Sequence, residues 1–183
     1  MAVDKILTPI FRVAFPSVFK KRAYGDGDAK YTVTMLFDKG TDLSALKVAA
    51  EAALDETWPN AKTRPKKLGN PFLDGDEVEW DGFEGKTFIR ATSLYQPGIV
   101  DRKRQPITDE EDFYPGCHAR ATVNAFTYDK KGNRGVSFGL QNLQFIRDDE
   151  PFTGRTNAED DFEALPDEDG DGAMAPSDLG DLG

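Results

Sequence analysis

The chain has 183 residues, a formal net charge of −10 at pH 7, 13 Phe, 5 Tyr and 2 Trp, but a single cysteine and a single histidine. One cysteine, Cys117, excludes an intramolecular disulfide framework and fits a reducing compartment, and with His118 alone beside it a zinc site of ordinary composition cannot be assembled in one copy. No apolar run approaches the roughly 18 residues of a membrane span and the first residues lack a signal-peptide core, so a soluble cytoplasmic protein with no membrane partner is expected.

In chain order, residues 10–15 place Phe11, Val13 and Phe15 on one face until Pro16 interrupts the ladder, predicting a strand that ends there or bulges and continues to Phe19. Residues 31–37 put Tyr31, Val33, Met35 and Phe37 on one side and Thr32 and Thr34 on the other, a second strand paired back through the loop Gly25-Asp26-Gly27-Asp28. Between residues 42 and 58 the period becomes helical, with Leu43, Leu46, Ala50, Ala53 and Leu54 in a stripe, Thr41 or Asp42 as cap and Pro59 as stop. Residues 60–85 are rich in Pro, Gly and charge and predict irregular structure with a short strand at 77–80. Residues 87–94 predict a strand, and 119–128 with 136–146 a long hairpin turning at 129–133. Four or five strands and one helix in this length predict a mainly β fold, a small and strongly curved barrel with long loops.

The charge is unevenly placed. Residues 148–183 hold thirteen acids against Arg155, a net of −12, which leaves residues 1–147 at +2. The expected organisation is therefore one folded domain at 1–147 and a disordered acidic tail at 148–183, because acids that repel each other have little apolar surface to bury. Such a tail can serve solubility alone, or it can compete with a polyanionic ligand for a cationic groove.

A cationic and aromatic surface is legible in residues 119–128. Ala119, Ala121, Val123, Ala125 and Thr127 are small and suit a core, while Arg120, Thr122, Asn124, Phe126 and Tyr128 share the other face. Two rings on a solvated face cost solvation unless something covers them. The cover is either a ligand or the long loop at 96–115, which would make a second small core. Phe88, Arg90 and Thr92 repeat the pattern on the preceding strand. Basic loops stand at Lys20-Lys21-Arg22 beside Tyr24, at Arg64-Pro65-Lys66-Lys67, at Arg102-Lys103-Arg104 and at Lys130-Lys131 with Arg134. Cations along a track with interleaved rings are what single-stranded nucleic acid requires, phosphates taking the cations and unpaired bases stacking on the rings.

The order of these features resembles the single-stranded DNA-binding proteins of tailed bacteriophages. The resemblance rests on an early strand, on Lys30-Tyr31-Thr32-Val33-Thr34-Met35-Leu36-Phe37-Asp38-Lys39 running into a helix, on a late hairpin with Gly135-Val136-Ser137-Phe138-Gly139-Leu140-Gln141, and on an acidic terminus. It implies a five-stranded OB-fold-like barrel and sequence-independent coating of single strands in replication, recombination or repair. Two features depart from that pattern. The helical stripe follows the second strand, whereas the usual barrel has its helix between the third and fourth; and the chain ends Asp178-Leu179-Gly180-Asp181-Leu182-Gly183 without a terminal aromatic anchor.

Rival readings are weaker. Residues 167–172 with Asp178 have the spacing of an EF-hand calcium loop, but Pro166 precedes and five residues follow, so no helix brackets it. Cys117 and His118 are neighbours that point to opposite faces of a strand. Asp109-Glu110-Glu111-Asp112 is the best carboxylate cluster for a magnesium-dependent nuclease, yet consecutive acids in a polar loop are ordinarily solvated. A DNA mimic would spread its negative charge over the fold. A phage structural or assembly protein is the remaining alternative.

The expectation is thus a non-catalytic, cofactor-free protein whose partner is single-stranded DNA. Phe126, Tyr128 and Phe88 are the stacking candidates, with Tyr24 and Asn124 adjoining. Arg120, Arg90, Lys20, Lys21, Arg22, Lys130, Lys131 and Arg134 are the phosphate contacts. The tail is expected to regulate binding and to recruit replication or recombination proteins; a homodimer is left open.

Overall fold

The computed structural model describes residues 5–23, 27–152 and 162–166, and the period-two segments become strands of one sheet. These are β1 (Ile6–Leu7), β2 (Phe11–Arg22), β3 (Lys30–Asp38), β4 (Leu73–Asp74), β5 (Lys86–Ser93), β6 (Gly98–Val100), β7 (His118–Lys130) and β8 (Asn133–Arg147), with one helix, α1 (Ser44–Thr57). Neighbours run β7-β2-β3-β5-β8, and β8 pairs again with β7, so the five long strands close into a ring. Its closing pair, β5 with β8, is parallel, Ala91 opposite Phe138 and Thr92 opposite Gly139. Counting those strands alone, the ring order is first, second, third, fifth, fourth, the OB-like barrel expected from the sequence.

Alternation fills the barrel. Ala119, Ala121 and Val123 of β7 are small and fully buried, which leaves room for Phe11, Phe37 and Phe138, the first two meeting edge to face at 5.7 Å. The helix follows the second barrel strand, as its stripe indicates, and buries Leu43, Leu46 and Ala50 in the same core. Asp42 Oδ1 accepts from Ser44 N at 3.0 Å to start it. Thr57 Oγ1 lies 2.7 Å from Thr127 Oγ1, so the helix end reaches the inner side of the hairpin tip. The connection between the third and fourth barrel strands holds no α-helix, only the 3₁₀ turn Glu110–Asp112; Phe113, at 2% exposure, plugs the core there.

Two local expectations are corrected. Phe15 does not join Phe11 and Val13 inside: the register to β3 shifts between Ala14 and Ser17, Phe15 takes φ 44°, and its ring is 46% exposed while Ala14 is buried. Pro16 has no N–H to give the ladder, and the bulge that accommodates it turns the neighbouring side chains over. The short strand expected at 77–80 is not formed either; β4 and the 3₁₀ turn Gly75–Glu77 precede it, and Asp74 Oδ1 caps that turn from Asp76 N at 2.9 Å.

Outside the barrel, Ala14, Leu36 and Phe88 leave an apolar patch on the outer face of β2, β3 and β5. Phe83 seals it, with Leu73, Val78 and Phe152 packed around the edge. Phe152 belongs to residues 148–152, which the sequence assigns to the tail but which form a strap on the body. Arg12 holds it: Nε donates to Gly116 O at 2.9 Å, Nη2 to Glu150 O at 2.6 Å, and the guanidinium carbon lies 4.1 Å from the Phe152 ring centre. Phe152 N donates to Pro115 O at 2.9 Å, and the Tyr114 hydroxyl to Asp148 Oδ1 at 2.6 Å. Gly82 (φ 83°) is required at its position, because a Cβ there would overlap the Phe152 ring.

Asp149 meets His118 Nε2 at 2.7 Å, and that hydrogen bond, with one from Glu150 N, holds its carboxyl down to about 2. A depressed carboxylate stabilises above its unfolded pKa of about 4 and loses that contribution as pH falls toward 2. Phe152→Ala should therefore lower stability by about 2 kcal/mol, the cost of a half-buried ring and its guanidinium contact. Urea denaturation would read this as a lower midpoint, and an unchanged midpoint would show that the strap does not hold the second core.

Candidate nucleic-acid interface

β7 and β8 are joined through Lys131 and Gly132, both with positive φ (49° and 87°), the type I′ geometry that matches strand twist. Along the outer face of this hairpin Tyr128 stands opposite Gly135, Phe126 opposite Ser137, Asn124 opposite Gly139 and Arg120 opposite Gln144. Three planar side chains on one strand thus face Gly, Ser and Gly on the other. A Cβ at 139 would come within 2.6 Å of Asn124 Oδ1, and one at 135 within 2.7 Å of the Tyr128 hydroxyl. The missing side chains at 139 and 135 let Asn124 and Tyr128 lie across β8. Asn124, Phe126 and Tyr128 are half-buried.

The loop at 96–115 does not make the second core; it meets the Arg120 end of the hairpin. Arg120 Nε donates to Gln144 Oε1 at 2.8 Å, and Gln144 Nε2 to Asp101 O at 3.2 Å. The second core lies instead over Phe88. That ring is 3% exposed, 5.0 Å from Phe83 and 6.1 Å from Trp80, so it has no free face and cannot be a stacking residue. Periodicity located its face correctly and could not say what covers it.

Arg90, two residues on, is exposed and stands opposite Thr34. Because Thr92 is level with Gly139, alternation places Arg90 on the Ser137 row, beside Phe126 on the same outer face. Its guanidinium lies 5.8 Å from the centres of both Trp80 and Phe88. Trp80 (42% exposed) meets the bulged Phe15 edge-on at 5.4 Å. Sequence reasoning missed this aromatic pair; the available signal was an isolated Trp in the polar segment 74–85. It also missed Tyr95, 82% exposed just past the end of β5.

Cations stand at both ends of this face. Lys20, Lys21 and Arg22 are exposed at the end of β2, with Lys21 Nζ 5.8 Å from the Tyr31 ring centre; Tyr24 lies outside the described residues. At the opposite end Lys130 and Lys131 are exposed at the hairpin turn, and Arg134 Nε meets Asp129 at 3.2 Å. Lys67 joins them through a cleft it lines together with Tyr128 and Arg134. Of the remaining clusters, Arg64 is occupied by Asp55 at 2.7 Å and by Trp58 O, closing the helix end. Arg102, Lys103 and Arg104 sit on a turn organised by Asp101 next to Gln144.

Rival chemistry finds no support in the geometry. Burial pushes the Cys117 thiol up to about 11, and His118 is engaged with Asp149. Asp109 Oδ1 caps a 3₁₀ turn from Glu111 N at 2.9 Å in an exposed acidic loop. Among the described residues no three metal-ligating side chains are grouped, and no helix is long and apolar enough to cross a membrane. The calcium-like spacing at 167–178 lies outside the described residues.

Comparison with known proteins gives the family and the fold. The family described as Enterobacter phage Enc34, ssDNA-binding protein, matches residues 4–173. The putative protein p50 of Acyrthosiphon pisum secondary endosymbiont phage 1 is 35% identical over 154 residues, covering 78% of this chain and 83% of that protein. Among solved structures, the single-stranded DNA-binding protein from bacteriophage Enc34 in complex with ssDNA superposes with a TM-score of 0.67 at 25% identity, over 81% of this chain and 89% of that one. The gp2.5 single-stranded DNA-binding protein encoded by bacteriophage T7 shares the fold, with a TM-score of 0.57 at 15% identity over 94% of this chain and 100% of that one. A closed five-strand ring shared with these structures and a family match over most of the sequence agree: the chain belongs to the Enc34 family of phage single-stranded DNA-binding proteins.

Proposed function

We propose that this protein binds single-stranded DNA without reading its sequence, coating and protecting exposed strands during phage replication, recombination or repair in the host cytoplasm. The observation that carries this reading is the row Asn124, Phe126 and Tyr128 set opposite Gly139, Ser137 and Gly135, with exposed cations at both ends. Planar groups on a flattened strand accept any base, and stacking contributes about 1–3 kcal/mol per base without hydrogen-bond readout. Binding is non-catalytic and needs no cofactor.

Residues 153–183 carry a net −9 and act as a tethered competitor that also recruits replication or recombination proteins. Support for competition comes from the strap. Phe152, where the tail starts, packs on Gly82, two residues from Trp80, so the anionic segment begins beside the binding face.

Removing residues 153–183 while keeping the strap should tighten binding to oligo-dT several-fold at low salt, because a tethered anion competes at an effective concentration on the order of millimolar. Equal affinity of the two forms by fluorescence anisotropy would end the competition part. Phe126→Ala and Trp80→Ala should each weaken binding by about 1–3 kcal/mol, roughly 5- to 150-fold. The log–log salt slope should be about −0.7 for each phosphate contacted. A flat salt profile, or self-assembly with no affinity for DNA, would favour the structural-protein alternative.

A further inference from the structure

At the tip of the β7–β8 hairpin a cleft of about 520 Å³ opens between two segments distant in sequence, lined by Lys67, Leu68, Gly69, Tyr128, Asn133 and Arg134. It is a built feature. Gly69 N donates to Arg134 O at 2.7 Å and Val136 N to Gly69 O at 3.4 Å, so the segment carrying Lys67 is zipped to the edge of β8 beyond the point where β5 leaves it. A Cβ at position 69 would overlap the Tyr128 hydroxyl, and one at 135 would come within 2.7 Å of the Gly69 backbone. Glycine at both positions lets the Tyr128 phenol reach across two backbones and form one side of the cleft, with Lys67 and Arg134 also lining it.

We propose that this cleft is a subsite for a single nucleotide at the margin of the DNA footprint, its base stacked on Tyr128 and its phosphate held between Lys67 and Arg134. The inference rests on the single-strand-binding reading and adds a definite end to the bound segment. The volume lies within the 300–1,000 Å³ of small-ligand sites, enough for one nucleotide and too little for a run of them. One ring and two cations match one base and one phosphate. Past the Lys131-Gly132 turn the hairpin stops, so a strand crossing the outer face meets no further platform. Arg134 keeps guanidinium donors beyond the exposed Asp129 contact, and Lys67 is exposed and makes no ion pair among the described residues.

The test uses the full-length protein and oligo-dT of stepwise increasing length. Wild-type affinity should rise with length and then level off. In Tyr128→Ala and in Gly69→Ala, which removes no ring or charge, levelling should come about one nucleotide earlier. Lys67→Gln, an exposed change that leaves the fold intact, should make the log–log salt slope shallower by about 0.7, the value for one phosphate on a single strand. If all three variants keep the wild-type length profile and slope while wild type binds oligo-dT, the subsite is overturned and the broader reading stands. If wild type fails to bind oligo-dT, both fall.

Discussion

β8 pairs along both edges, with β7 through thirteen residue pairs and with β5 and β6 on the other side. On one face of β8 Val136, Phe138 and Leu140 fill the barrel, while Gly135, Ser137 and Gly139 alternate with them on the other. Glycine within a strand costs up to about 1 kcal/mol of backbone entropy. The cost is offset here by side chains of β7 that lie across the gaps, Tyr128 over Gly135 and Asn124 against Gly139, as aromatic residues do when they cover strand glycines. Flatness of this part of the outer face thus comes from small residues of β8 set opposite planar side chains of β7.

The same sheet has an opposite constraint on its other outer half. Leu36 and Phe88 are too apolar to face water, and the irregular segment at 74–85 together with the strap exists to cover them. Cover and exposure meet at Trp80, which packs on Phe83 and Phe88 with one side while the other stays open beside Arg90. Exposed ion pairs such as Arg12 with Asp149 contribute little by themselves. The strap is held chiefly by the Phe152 ring, with Arg12 donating to the carbonyls of Gly116 and Glu150 beside it.

Much of this was legible in the sequence because period two survives wherever a strand has one buried face. Val33, Met35 and Phe37 of β3 and Ala119, Ala121 and Val123 of β7 go inside as read, and the stripe of α1 fixes its place after the second strand. The failures at Phe88 and at residues 148–152 share a cause, packing from far along the chain, whereas that at Phe15 is local. Phe88 reads as exposed until residues 80–83 fold over it. Phe15 reads as core until the bulge at Pro16 flips it, and residues 148–152 read as solvated tail until Arg12, more than a hundred positions earlier, clamps them. Alternation also marks Asn124, Phe126 and Tyr128 as one face, yet the glycines that let them lie flat become meaningful only once the hairpin register pairs them.

Lack of sequence preference, proposed above, has a geometric basis in this row. Distinguishing bases requires fixed donors and acceptors aimed at their edges, and the row offers two rings and one amide. Asn124 Oδ1 already accepts from Gln141 Nε2 at 2.6 Å and lies against Gly139, so one of its lone pairs is engaged inside the protein. Attraction must likewise be local, because residues 1–147 sum to only +2 and charges are screened within about 8–10 Å at physiological salt. At that range the cations at the two ends act on the phosphates beside them, and the −9 of residues 153–183 acts on the face only if something brings it close. Anchoring the start of that segment at Phe152, against Gly82, supplies the proximity that charge alone cannot.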